Sequence, residues 1–474
     1  MNPLHRADEK SVRVKGTEHS PVAHALPLPA ASISQPINMK IVQTPYFAAA
    51  LIISATANLC AEDSKISSTN AVPATASAGA EPEEPWWKNA MPKAISQGKL
   101  LLNARLRYEH ADQSNLDASD AFTIRTRLGY ETAPIKGFRG LLEFEDVSII
   151  GNENNYNQAG LNPGGAGKTV IADPETTEVN RAWIGYENFD TFAKYGRQRI
   201  TLDDHRFVGN VGWRQNEQTY DGLTLANDSI QDTTLFYSYI YEVNRVLGDD
   251  HPGGNFDSRS HLFNASNSTL PFATVSLYSY LLDFDNAPTS SSASYGASVV
   301  GDITVSEEHR AKIDYRLQYA FQSDYGDQPV DYGASYYKIE VGGQCSIYSA
   351  GVGYEVLGSD NDKGFATPLA TLHAFNGWAD VFLNTPNEGL EDLYFSAGVT
   401  LPWGMPLKLV YHQFYSQQGS DNYGHELDAV ISKKFGKHWT VLAKYAYYDG
   451  KDDPFGSGSA IDTQKGWLQL EFAY

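Results

Sequence analysis

From residue 99 onward the chain repeats one pattern with a period of two, and that pattern limits the fold more than any other feature. Leu102, Ala104, Leu106 and Tyr108 fall on one face, and Asn103, Arg105, Arg107 and Glu109 on the other. The next segment sets Phe122, Ile124, Thr126, Leu128 and Tyr130 against Thr123, Arg125, Arg127 and Glu131. Such alternation is the signature of a half-buried strand. About eighteen segments of this kind follow one another to residue 474. Their joints alternate in length. Short turns at 134–137, 188–191, 342–344, 402–404 and 436–437 are interleaved with longer joints at 150–177, 200–219, 244–257, 358–388 and 450–463. The apolar faces end repeatedly in Tyr or Phe. A soluble sandwich has no reason to keep this order, whereas a barrel crossing an outer membrane has short periplasmic turns, long extracellular loops and aromatic girdles. The expectation is an all-β, transmembrane antiparallel β-barrel of about 18 strands.

Composition narrows the alternatives. A chain of 474 residues could hold two or three soluble domains, but 29 Tyr and 40 Gly beside 4 Met and 2 Cys suit one large β structure. Past residue 61 no apolar run approaches the about 20 residues that a spanning helix needs. The mean hydropathy of −0.39 does not exclude spanning strands, which alternate lipid-facing and lumen-facing residues. A net charge of −21 argues against nucleic acid as a partner. Cys60 and Cys345 provide no disulfide framework.

Ahead of the strands, residues 1–38 carry little pattern and are expected to be a mis-assigned extension upstream of a start at Met39. Residues 39–61 have a basic start at Lys40, an apolar stretch and small residues before a cleavage point after Ala61, as a secretory signal peptide does. Residues 62–98, rich in Ala, Ser, Thr and Pro, read as a disordered periplasmic tail in which Trp86 and Trp87 could anchor at the membrane interface. Residues 99–474 are then the outer-membrane barrel. The chain ends WLQLEFAY, with Leu468, Leu470, Phe472 and Tyr474 on one face. That ending resembles the signal read by outer-membrane assembly machinery, which makes the machinery and outer-membrane lipid expected partners of a monomeric barrel.

One stretch breaks the alternation. Residues 196–222, GRQRITLDDHRFVGNVGWRQNEQTYDG, hold four arginines, four acidic residues and three aromatics. The stretch is too polar for a core element and suits a structured loop folded against a polar cavity. Its wording resembles the hallmark of the bacterial outer-membrane alginate-export family of porins. Residues 364–390, GFATPLATLHAFNGWADVFLNTPNEGL, resemble a loop of the same family. The resemblance covers residues 99–474 and implies an outer-membrane channel for polar or anionic solutes such as sugars, uronates or oligosaccharides. A second implied reading is dedicated export of an acidic exopolysaccharide. Alginate-exporting members carry a long pore-plugging periplasmic turn near the sixteenth strand, where this chain has only Gly436 and Lys437. A third reading is a barrel-borne surface enzyme or adhesin with residues 196–222 as its external site.

Charges alternating with apolar residues belong in a water-filled lumen, because facing lipid they are costly. The candidate pore and constriction residues are Arg105, Arg107, Arg125, Arg127, Arg181, Arg197, Arg199, Asp203, Asp204, Arg206, Arg214 and Arg316. Arginine's planar fork suits carboxylates and sulfates. The competing expectation is that these arginines form ladders with wall carboxylates, and that Asp203, Asp204, Glu217 and Asp221 neutralise Arg206 and Arg214 inside a rigid loop. Catalysis has no candidate: the 12 histidines lack metal-ligand spacing, and no nucleophile motif has partners. Residues 164–169 imitate a phosphate-binding loop without its first glycine, and Asp360, Asn361 and Asp362 read as solvated surface. No cofactor is expected.

Overall fold

In the computed structural model, residues 87–474 are described. A helix, α1 (Trp87–Ser96), precedes twenty strands: β1 (Lys99–Gln113), β2 (Ser119–Glu131), β3 (Phe138–Ile149), β4 (Thr176–Asn188), β5 (Thr191–Gln198), β6 (Thr219–Ile230), β7 (Thr233–Asn244), β8 (Asn255–Leu270), β9 (Ala273–Leu282), β10 (Ser292–Ser306), β11 (Ala311–Ser323), β12 (Gly333–Cys345), β13 (Tyr348–Leu357), β14 (Ser359–Asp360), β15 (Lys363–Gly364), β16 (Leu390–Leu401), β17 (Met405–Tyr415), β18 (Asn422–Phe435), β19 (Trp439–Gly450) and β20 (Thr463–Ala473). β14 and β15 form a small hairpin of their own. The other eighteen make one sheet in which each strand pairs antiparallel with its neighbour in sequence. β20 returns to β1, with Leu470 opposite Leu106 and Gln469 opposite Arg107, so the sheet closes into a barrel. Closure leaves no free edge, as a lipid environment demands.

The faces are inverted relative to a soluble protein. Leu468 is 60% exposed and Leu128 52%, while Arg107, Glu109, Arg125 and Glu145 are buried. Apolar side chains point to lipid and charged ones into the lumen. This is the outer-membrane β-barrel that the alternation predicts. Level within the bilayer sets a stability expectation. Leu468 lies four residues from the girdle residue Phe472, whereas Leu128 lies two from Tyr130 at the short-turn rim. Leu468→Arg should cost about 2–4 kcal/mol, and Leu128→Arg about 0–1 kcal/mol. Urea unfolding from lipid vesicles measures both, and equal costs would mean the strand levels are wrong.

Two sequence expectations differ from the structure. The turn expected at 342–344 lies at Ser346 and Ile347, because Gly343 and Gln344 still pair with Ala350 and Ser349. Ser346 takes the left-handed conformation, φ 55°, that the tight connection needs. Gly342 and Gly343 fit an extended ladder without strain, so a glycine pair alone is a poor turn marker. The tail expected to be disordered through residue 98 contains α1. Trp87, Met91 and Ile95, like Ala90 and Ala94, recur at helical spacing. The helix end is tied to the barrel: Ala133 N–H donates to the Ala94 carbonyl at 3.0 Å, and the Tyr130 hydroxyl to that of Ile95. Those bonds to the β2 rim fix a segment whose composition alone would leave it loose. The rest of the tail, the signal peptide and the extension lie outside the described residues.

Candidate functional site: two loops seated in the lumen

Residues 199–218, between β5 and β6, and residues 358–389, between β13 and β16, fold inward and meet. Val208 bridges Leu369, Gly209 N–H donates to the Leu369 carbonyl at 2.8 Å, and Thr371 N–H donates to the His205 carbonyl at 3.0 Å. A Cβ on Gly209 would fall 2.2 Å from Thr371 Oγ1, so the crossing needs glycine. Phe207 packs here against Tyr278, Tyr336 and Phe365 at 5.3, 5.2 and 5.8 Å. Irregular backbone at membrane depth is tolerated only where protein or water surrounds it, as in this lumen.

Two stretches of the wall hold the two loops by opposite chemistry. On β1 and β2, Arg105 faces Arg125 across the ladder, a repulsive pairing of like charges in isolation. Their Nη1 donors are taken up by the first loop's carbonyls. Arg105 Nη1 reaches Gly212, Trp213 and Arg214 oxygens at 3.1, 3.1 and 3.2 Å, and Arg107 Nη2 reaches Trp213 O at 2.6 Å. Arg125 and Arg127 each reach Gln215 O at 3.4 Å. Carboxylates complete the set: Glu471 beside Arg105 and Arg125, Asp173 beside Arg107, and Glu145 and Glu217 beside Arg127. On β13, β16 and β18, carboxylates take the second loop's donors. Ala379 N–H donates to Glu426 at 2.7 Å and Trp378 N–H to Asp428 at 3.3 Å. Asn376 donates to Glu355 at 2.8 Å and to Asp392 at 3.1 Å.

The remaining candidates, Asp203 apart, fall into ion pairs. Arg181 grips Glu143 with both nitrogens, at 2.7 and 2.8 Å, and Arg197 grips Asp221 at 3.0 and 3.1 Å. Arg199 binds Glu217, Asp204 sits 3.3 Å from Arg316, and Asp203 accepts from Asn264 at 3.0 Å. Arg206 and Arg214 are 2% and 6% exposed. Their carboxylate partners are not the loop's own. Arg206 binds Glu355 at 2.7 Å; Arg214 binds Glu109 at 3.2 Å and Asp380 at 2.7 Å. Among the loop's own acids, Asp204 goes to Arg316, Glu217 to Arg199 and Arg127, and Asp203 to Asn264, which corrects the expected pairing. Arg199 and Arg316 keep more open side chains, 28% and 16% exposed. Sequence reading singles out none of Asp173, His373, Asn376 and Asp380, although they seat the loops. The one usable signal is that polar residues in long joints need partners.

A family model described as alginate export matches residues 98–339, just over half of the chain. The chain belongs to the alginate export family. Among curated protein sequences no match is found. Solved structures similar to this alginate-export barrel include Acinetobacter baumannii OccAB2, with 13% identity, 81% of this chain and 99% of that chain covered, and a TM-score of 0.63. Pseudomonas aeruginosa OccK8 (OprE) aligns at 13% identity over 80% of this chain and 98% of its own, with a TM-score of 0.62. Pseudomonas aeruginosa OpdK with vanillate aligns at 12% identity over 79% and 98%, with a TM-score of 0.61. At such identities the likeness is one of fold.

Electrostatics explain why this family member's loops stay charged and seated. Burial opposes the charge of Asp380, but His373, Lys465 and Arg214 hold its carboxyl well below the usual range. Burial likewise opposes Glu217, and Arg127 and Arg199 hold it well below. Arg214 is raised, because Glu109, Asp380 and Asp173 outweigh its burial. His373 is the exception: burial pushes its pKa well below 6.5 despite Asp380. Its Nδ1 lies 2.6 Å from Asp380 and its Nε2 2.6 Å from Lys444 Nζ. A carboxylate only accepts, so Nδ1 carries the proton and Nε2 of the neutral ring accepts from Lys444.

Proposed function

We propose that the protein is an outer-membrane channel through which polar or anionic solutes pass, with sugars, uronates and oligosaccharides among the candidates. The observation that carries this reading is a closed barrel whose charged interior is narrowed by two loops pinned to its wall and to each other. Pinned loops leave a defined passage rather than a collapsible one. Arginine lining favours anions in pores, and Arg199 and Arg316 are the cationic candidates most open to a passing solute. The chain works as a monomer in this reading, inserted by the outer-membrane assembly machinery. Dedicated export of an acidic polysaccharide is supported by family membership alone. Against it stands the connection from β18 to β19, which is only residues 436–438. A surface enzyme or adhesin gains no support from the seated loops.

Planar-bilayer recording tests the reading. The refolded protein should give discrete ohmic steps with a reversal potential favouring anions. Arg199→Ala with Arg316→Ala should shift that potential toward cations. Absence of steps from correctly folded protein would reject the channel, and an unmoved potential would reassign selectivity to other wall charges.

A further inference from the structure

Two cations on the long-loop side of the lumen stand apart from the paired arginines. Arg245 follows β7, and its Nη1 donates to the Gly253 carbonyl at 2.9 Å while its guanidinium lies 4.4 Å from the Phe256 ring. Lys363, in the β14–β15 hairpin, donates to the Thr289 carbonyl at 2.6 Å. Neither has an acidic partner among the described residues. Burial pulls both pKa values below their usual positions, and no carboxylate counteracts it. Both side chains line one cavity of about 280 Å³, half-buried rather than sealed. No Asp or Glu lines that cavity, in a chain whose net charge is −21. Arg206 reaches it too, but Glu355 already neutralises that charge. The remaining polar lining is neutral, with hydroxyls of Ser290 and Thr385 and amides of Asn384 and Asn387. Partly desolvated cations without a carboxylate favour an anion from solution as their counter-ion.

A second cavity, of about 580 Å³, shares Arg245, Pro368, Leu372 and Leu383 with the first. Its walls are mainly apolar, with Leu116, Val246, Leu247, Val381 and Phe455. At its floor Arg214, Asp380 and Lys465 satisfy one another, at 2.7 and 2.9 Å. Its volume is that of a small-molecule site. A polyhydroxylated body placed there would meet mainly apolar wall and regain few hydrogen bonds for the water it loses, at about 1–3 kcal/mol per unpaired group.

We propose that Arg245 and Lys363 form an anion subsite that takes the carboxylate of an organic acid whose apolar body fills the adjoining cavity. The assignment rests on the channel reading and refines its solute class, away from uronates and toward compact acids with a ring or aliphatic body. The guanidinium fork suits one carboxylate edge and the ammonium acts as a point charge beside it.

Titration calorimetry on the refolded barrel, with cyclohexanecarboxylate as probe, tests the subsite without requiring conduction. Arg245→Gln with Lys363→Gln should weaken binding about tenfold to a hundredfold, the loss expected for charge-assisted hydrogen bonds. The charge-preserving pair, Arg245→Lys with Lys363→Arg, should stay within about threefold. Glucuronate, of equal charge but covered in hydroxyls, should bind the wild-type protein at least about tenfold more weakly. Equal affinity of the Gln pair and the wild type overturns the subsite. Loss in both pairs overturns the role of charge, and equal affinity for glucuronate overturns the apolar body. Bilayer recording on the same preparation separates the two readings. A protein that conducts but does not bind overturns the subsite, whereas one that binds but never conducts overturns the channel.

Discussion

Arg214→Ala should destabilise the barrel by about 3–5 kcal/mol, because it breaks a buried ion pair from one side only. The guanidinium touches Glu109 at 3.2 Å with Nη1 and Asp380 at 2.7 Å with Nη2, and it joins the first loop to the β1 wall and to the second loop at once. The two acids are not equally dependent on it. Asp380 keeps His373 at 2.6 Å and Lys465 at 2.9 Å. Glu109 has no other side-chain hydrogen bond among the described residues and keeps only the nearby charge of Arg107, so it is the acid left worse compensated. Glu109→Gln added to Arg214→Ala should therefore recover a large part of the loss. Arg206→Ala is the internal comparison. Its partner Glu355 retains the Tyr336 hydroxyl at 2.6 Å and Asn376 at 2.8 Å, so the cost should be smaller. Arg214→Ala should also raise single-channel conductance, since residues 212–215 lose an anchor over the lumen. Urea midpoints in vesicles and bilayer recordings give the two readouts. A neutral Arg214→Ala would mean that the carbonyl contacts of Arg105 and Arg107 seat the loop unaided.

The barrel was legible in the sequence because its information is local. Each strand states its two faces within ten residues or so, and every joint states its own length. Phe122, Leu128 and Leu468 are exposed and Arg107, Arg125 and Arg127 buried, as period two requires. The site was less legible because its pairings are remote. Arg206 and Glu355 stand 149 positions apart, and Arg214 and Glu109 stand 105 apart. The nearest acids in sequence, Asp204 for Arg206 and Glu217 for Arg214, go to Arg316 and Arg199 instead. The arginine ladder was visible as a set of charges, but its chief ligands are the carbonyls of residues 212–215, and every residue has a carbonyl. The acidic wall had even less signal. Glu426 and Asp428 receive backbone N–H groups of residues 379 and 378, which no side-chain pattern announces.

The loops should loosen as pH falls below about 6.5, and His373 sets that window. Its ring stacks on Trp213, with centroids 4.5 Å apart and planes 5° from parallel, and bridges Asp380 to Lys444. Arg214 and Lys465 also face this group through Asp380. A second proton on His373 would set a cation against Lys444 Nζ, 2.6 Å away. The folded pKa is depressed by burial, so the released loop takes up the proton before the seated one does. Stability of the seat is full above the unfolded value, about 6.5, and declines toward the lower folded value by up to about 1.4 kcal/mol per pH unit. Asp380 does not share this window. Its folded pKa lies below 3.8, so its contribution is lost only as pH falls under about 4. His205, also lowered by burial, adds to the effect in the same direction as His373. Between pH 7.5 and 5 the urea midpoint should drop and open-channel current should become noisier, and His373→Gln should flatten most of that dependence. A dependence that survives His373→Gln unchanged would assign the window to another group.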